Sequence, residues 1–75
     1  MPTLQRFPSS KILMYFDDHL LPHVHVRVSD GRECTVDIGS LLVTGRISKR
    51  EIRDELLWID ANHDFLLTEW RRYNR

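Results

Sequence analysis

The feature that most limits the fold is a pair of alternating runs flanking Asp30-Gly31. Residues 23–29 read His-Val-His-Val-Arg-Val-Ser, and residues 32–38 read Arg-Glu-Cys-Thr-Val-Asp-Ile. Both alternate apolar with polar side chains, the period of a strand with one buried face. Asp-Gly between such runs marks a hairpin turn. A two-residue turn would pair Val26 with Thr35 and His25 with Val36, mixing apolar and polar groups on each face. A three-residue loop, Ser29-Asp30-Gly31, with Gly31 in the left-handed bulge position, pairs Val28 with Arg32, Val26 with Cys34 and Val24 with Val36. On the opposite face it aligns Arg27 with Glu33, His25 with Thr35 and His23 with Asp37. A one-residue slip would move every side chain to the other face, so the second register is expected. It predicts a wet face carrying a His23–Asp37 pair.

The remaining segments can be ordered around this hairpin. Residues 3–7 and 11–16 read as an earlier hairpin turning at Pro8-Ser9-Ser10. Ile12, Met14 and Phe16 form its better core face, opposite Lys11, Leu13 and Tyr15. Pro22 opens the third strand, where its missing N–H does least harm. Residues 39–47, with Leu41-Leu42-Val43 and Gly45, fit either a strand or a loop. Ser48 and Glu51 make a capping box, and Ile52, Leu56, Ile59, His63, Leu66, Trp70 and Tyr73 follow at helical spacing.

One unbroken helix over 49–73 would run about 37 Å, whereas a strand of six or seven residues spans only about 20–23 Å. Asn62, followed by Asp64, offers a cap for a second helix. The expected fold is α+β, in a single domain over residues 1–75. An antiparallel sheet of three to four strands, built as two successive hairpins, is packed on its valine face by a C-terminal helical segment of one kinked or two short helices. The unbroken helix is the alternative, and it would leave a Trp58/Phe65 patch exposed for a partner.

Composition narrows the function. The chain has 75 residues, and a domain of that size buries only roughly 60% of its unfolded surface, so added stability from metal or self-association is open. Eleven basic residues balance eleven acidic ones, which argues against nucleic-acid binding through a general basic surface. Cys34 is the lone cysteine, and no signal-like segment is present, so a reducing cytoplasm is expected. No apolar run approaches the roughly 20 residues that span a membrane.

The chemistry concentrates in Asp17-Asp18-His19-Leu20-Leu21-Pro22-His23-Val24-His25-Val26. His23 and His25 project from one face about 7 Å apart, close enough to share a metal ion. Asp37 is the third candidate ligand, and His19 can reach back over the Pro22 turn. That donor set suits a divalent transition metal such as zinc. The same residues suit general acid–base work, with His23, His25 and Asp37 catalytic, Arg27 holding a phosphate, and Thr35 beside them. The plainer reading is a cross-strand His–Asp pair on a solvated surface, worth under about 1 kcal/mol.

Cys34 faces the valines and reads as a buried small hydrophobe. Arg46, Lys49, Arg50 and Arg53 crowd a helix start, where the dipole disfavours cations. They mark either an acidic-partner site or a solvated face balanced by Glu51, Asp54 and Glu55. Trp58, Phe65, Arg46 and Arg50 together make the candidate partner surface.

The run His19-Leu20-Leu21-Pro22-His23-Val24-His25-Val26 resembles the signature of a small bacterial family known as domain of unknown function 4160. The Met1-Pro2-Thr3 start, Ser48-Lys49-Arg50-Glu51-Ile52 and Asn62-His63 through Leu66-Leu67, Trp70 and Tyr73 extend the resemblance over nearly the whole chain. Leu21 departs from it, standing where the family usually has the first of two prolines. The resemblance implies an α+β fold and a gene placed beside another short gene, as in toxin–antitoxin pairs, with no established activity. The expected function is therefore a bacterial protein-interaction module of such a pair, binding a partner encoded nearby or itself. The alternative is a ribonuclease toxin or metal-dependent activity on the His-x-His face, with RNA as substrate.

Overall fold

The turn at Asp30-Gly31 closes as the alternation requires. Val28 N–H donates to Arg32 O at 2.9 Å and Gly31 N–H to Val28 O at 3.0 Å. Gly31 sits at φ +95°, where a side chain would be strained. The pairs that follow are Arg27–Glu33, Val26–Cys34, His25–Thr35, Val24–Val36 and His23–Asp37. These are the expected partners.

The computed structural model describes residues 3–15 and 21–74. Five strands, β1 (Thr3–Phe7), β2 (Ser10–Leu13), β3 (His23–Val28), β4 (Glu33–Asp37) and β5 (Val43–Gly45), form an antiparallel sheet in chain order. A 3-10 turn (Lys49–Ile52) leads into helix α1 (Arg53–Ala61), and α2 (His63–Tyr73) follows. No described helix is long and apolar enough to cross a membrane.

The architecture is the expected α+β, with one more strand than the three to four anticipated. β5 lies in the segment that fitted either strand or loop, and it sets Val43 against Val36 and Gly45 against Cys34. Its brevity and terminal glycine weaken its strand signature. The glycine is nevertheless required there. Gly45 has φ +135°, and a Cβ on it would stand 3.0 Å from the Cys34 backbone and from Glu33 O.

One sheet face and the two helices share the main core. Ile12, Met14, Val24, Val26, Val36 and Ile38 come from the sheet side, and Ile52, Ile59, Leu66 and Trp70 from the helical side. Each fully buried aliphatic of this kind contributes about 1.5–3 kcal/mol. The helical positions are those of the predicted stripe, which keeps its register across the break.

Asn62 makes that break, at φ −112° and ψ 26°. Its N–H reaches Trp58 O at 3.0 Å, its Nδ2 donates to the same oxygen at 2.8 Å, and its carbonyl accepts from Leu66 N–H at 2.9 Å. The side chain thus closes α1, where the sequence suggested it would cap α2. Two short helices result, and Trp58 is half-buried against the core rather than turned out.

The hairpin turn is also tied to the helical segment. Glu51 accepts from Ser48 N–H at 2.8 Å and from Ser48 Oγ at 3.2 Å. Its other oxygen meets the Arg32 guanidinium at 2.9 Å, while Arg32 also binds Asp30 at 2.8 Å and donates to Arg46 O at 3.1 Å.

Gly45→Ala is expected to destabilise the protein by about 1–3 kcal/mol, since the strained backbone and the collision coincide. Gly31→Ala, with nothing within 4 Å of an added Cβ, should cost only about 1 kcal/mol. Urea unfolding of both variants checks the order; equal losses would remove close backbone approach as the reason for Gly45.

Candidate functional site

Alternation along β3 places His23, His25 and Arg27 on the sheet face away from the valines. Leu13 of β2 lies opposite His25, and Glu33, Thr35 and Asp37 of β4 lie on the other side. This face is not the wet surface the sequence predicts. Leu13 is 2% exposed and His23 7%, and the His25 side chain is 15% exposed.

Ring packing accounts for part of the difference. Tyr15 meets His25 edge-on with centroids 4.1 Å apart, His25 lies 5.1 Å from His23, and His23 lies 5.0 Å from Trp70. An imidazole presents an apolar body as well as polar atoms, so a line of such rings can be buried. Leu13, outside the main core cluster, is buried beside them.

The carboxylate that organises this face is Glu33. His25 Nδ1 lies 3.1 Å from its Oε2, and Arg27 brings Nε and Nη2 to 2.9 Å from Oε1. The Tyr15 hydroxyl is 3.3 Å from both oxygens. Arg27 is the direct cross-strand partner of Glu33 and His25 the diagonal one, both within reach of a long side chain. Burial first, then the negative charge of Glu33, raises the Tyr15 pKa, which keeps the phenol a donor. The Nε2 edge of His25 is buried.

Asp37 is used differently from the expectation. Its Oδ1 accepts from Gly39 N–H at 2.8 Å and from Ser40 N–H at 2.9 Å. The Ser40 amide above all, helped by Gly39, holds this carboxyl below its ordinary pKa, with a smaller contribution from His23. β4 ends at Asp37, so the nearest donors belong to the turn that follows. His23 turns Nδ1 to Leu21 O at 2.7 Å. The register therefore pairs His23 with Asp37 through the backbone, while these two side-chain atoms serve different local partners.

His23, His25 and Asp37 share a face, but their named donor atoms do not converge. Among the described residues no three His, Cys, Asp or Glu side chains are grouped to hold a metal ion. His19, Asp17, Asp18 and Phe16 lie outside the described residues. Thr35 donates to Thr44 O at 3.4 Å. Cys34 is buried among the valines, and burial raises its thiol pKa.

The partner-surface residues lie elsewhere. Arg46 and Arg50 are exposed near the helical start, and Phe65 is 46% exposed. His63 lies 3.2 Å from Asp64 at the start of α2.

Two features escape the sequence reading. One is Glu33 as a hub: the predicted register already set it beside Arg27, yet the diagonal reach to His25 and the Tyr15 contact depend on side-chain geometry. The other is Glu55, only 8% exposed, whose carboxylate accepts from Ser10 Oγ at 2.6 Å.

The sequence pattern of the family described as domain of unknown function (DUF4160) matches residues 10–71. The chain belongs to the DUF4160 family. The match runs from the first residue of β2 to within two residues of the end of α2, so it includes both the histidine strand and Glu33. No curated protein and no solved structure matches the chain.

Because the Asp37 carboxyl titrates lower in the fold than in the unfolded chain, the unfolded state takes up its proton first on acidification. The stability it contributes is present above the unfolded carboxylate pKa and is lost as pH falls through the folded value, in the acid range below about pH 5. Asp37→Asn should flatten the acid limb of a plot of unfolding midpoint against pH. An unchanged limb would show that the loop amides do not stabilise the ionised form.

Proposed function

We propose that this DUF4160 protein is a small bacterial interaction module, one component of a two-gene pair of toxin–antitoxin type. The observation that carries this reading is where the protein has committed its polar and apolar groups. On the histidine face, Glu33 takes up His25, Arg27 and Tyr15. Outside, Leu21, Leu42, Leu57 and Phe65 remain 75%, 60%, 62% and 46% exposed.

Single exposed leucines are ordinary, but four large apolar groups on so short a chain give a partner anchors to cover. Binding to the folded state alone would also stabilise a thin core by mass action. The buried lone thiol of Cys34 suits a reducing cytoplasm.

A second reading is favoured by the company Glu33 keeps. An imidazole, a guanidinium and a phenol within 3.3 Å of one carboxylate could hold a phosphodiester and move a proton during attack by an RNA 2′-hydroxyl. In that chemistry the His25 ring must swing outward, because its Nε2 is buried.

Co-expression with the product of the adjacent gene, without an affinity tag on this chain, tests the two together. The interaction reading expects a stoichiometric complex that survives Glu33→Gln and no RNA cleavage by the purified protein. RNA cleavage that Glu33→Gln reduces by about a hundredfold or more, with no complex formed, would replace it by the second reading.

A further inference from the structure

We propose that the groove beside the start of α1 is the docking site for an acidic amphipathic helix of the partner protein; this rests on the interaction reading above and names its surface. The groove has a volume of about 360 Å³. Leu41, Leu56 and Leu57 supply its apolar lining, Lys49, Arg50 and Arg53 its cations, and Asp60 a carboxylate. Asp60 lies two turns beyond Arg53, about 10 Å along the helix axis. The charge is therefore positive at the helix start and negative further along.

The charge balance identifies the occupant. Of the three acids interspersed with these cations, Asp54 stands at helical spacing from one of them, four residues after Arg50. Glu51 binds Arg32 and Ser48, and Glu55 is buried against Ser10. Asp54 shares a neighbouring cavity with Arg50 and Arg53, which Glu51 and Glu55 also line. Among the described residues no ion pair engages Lys49, Arg50 or Arg53. Glu51, Asp54 and Glu55 suit the dipole of these turns, so the excess of positive charge belongs to the groove, where three cations face one carboxylate. An anionic partner balances that lining.

The apolar lining decides between a protein and a nucleic acid. Phosphate recognition uses donors on a polar surface and would leave Leu57 uncovered. A helix carrying apolar anchors at i, i+3 or i+4 and i+7 covers the leucines and presents its charged flank to the rim. Carboxylates on that flank meet Lys49, Arg50 and Arg53, and an uncharged or basic residue faces Asp60. The helix is thereby oriented as well as attracted.

The test uses defined probes and fluorescence anisotropy. A synthetic amphipathic peptide of about 18 residues, five turns, built from Glu and Leu, is compared with its Lys-for-Glu counterpart and with a single-stranded RNA. Expected is at least about tenfold tighter binding of the Glu peptide, weakened about tenfold or more by Leu57→Asp. The double charge swap R50E/R53E should reverse the preference in favour of the Lys peptide. Both variants alter exposed side chains, and circular dichroism confirms that each is folded.

Equal binding of both peptides, indifference to L57D, or tighter binding of RNA overturns the proposal. So does a concentration-dependent dimer that L57D abolishes, which would make a second copy the occupant. A complex with the adjacent gene's product that ignores both variants removes this groove and leaves the interaction reading standing. Peptide preference without any such complex removes the two-gene pairing and leaves the groove.

Discussion

Everything in this structure depends on the left-handed backbone of Gly31, because that one conformation decides which residue of β4 faces which residue of β3. With the bulge in place, Val24 meets Val36 and Val26 meets Cys34 on the side that the helices cover. Removing one residue from the loop would send His25, Glu33 and Arg27 toward Ile59 and Leu66. Burying those polar groups without matched partners costs several kcal/mol, more than a 75-residue domain has to spare. The sheet is therefore held to one register by what the alternative would bury. Arg32, immediately after the turn, extends the constraint by binding Asp30, Glu51 and the Arg46 carbonyl.

That register produces two sides with contrasting chemistry. On the histidine side, His25, Arg27 and Tyr15 gather around Glu33, with aromatic rings and Leu13 packed beside them. Partly buried charges arranged this way hold geometry more than they add stability, since desolvation offsets much of the attraction. At the start of α1, Glu51 is held by Arg32 and Ser48 and Glu55 by Ser10, and among the described residues no ion pair engages Lys49, Arg50 or Arg53. Those three cations border exposed Leu57.

Local pattern made much of this legible. The β3–β4 register followed from alternation and turn chemistry, the break at Asn62 from helix length and back-facing aromatics, and the helical start from the Ser48–Glu51 pairing. Less legible were features that turn on how side chains choose among neighbours. β5 was ambiguous because three residues ending in glycine carry little strand signature. Asp37 looked like the partner of His23 because alternation sees only the sheet, whereas the amides of Gly39 and Ser40 lie in the turn beyond it. Glu33 looked like a simple partner for Arg27, since a diagonal contact to His25 and a hydroxyl from Tyr15 depend on geometry that alternation does not encode. Leu13 hid for a related reason: a strand with one evident core face gives no sign that its other face is also covered.

Glu33, rather than Asp37, organises the histidine face. Double-mutant cycles measure it directly, with His25→Ala and Glu33→Gln in one cycle and His23→Ala and Asp37→Asn in the other, each read by urea unfolding at neutral pH. A favourable coupling of about 0.5–3 kcal/mol is expected for His25 with Glu33, and a distinctly smaller one for His23 with Asp37. The reverse order, with His23 strongly coupled to Asp37 and His25 indifferent to Glu33, would contradict that role of Glu33.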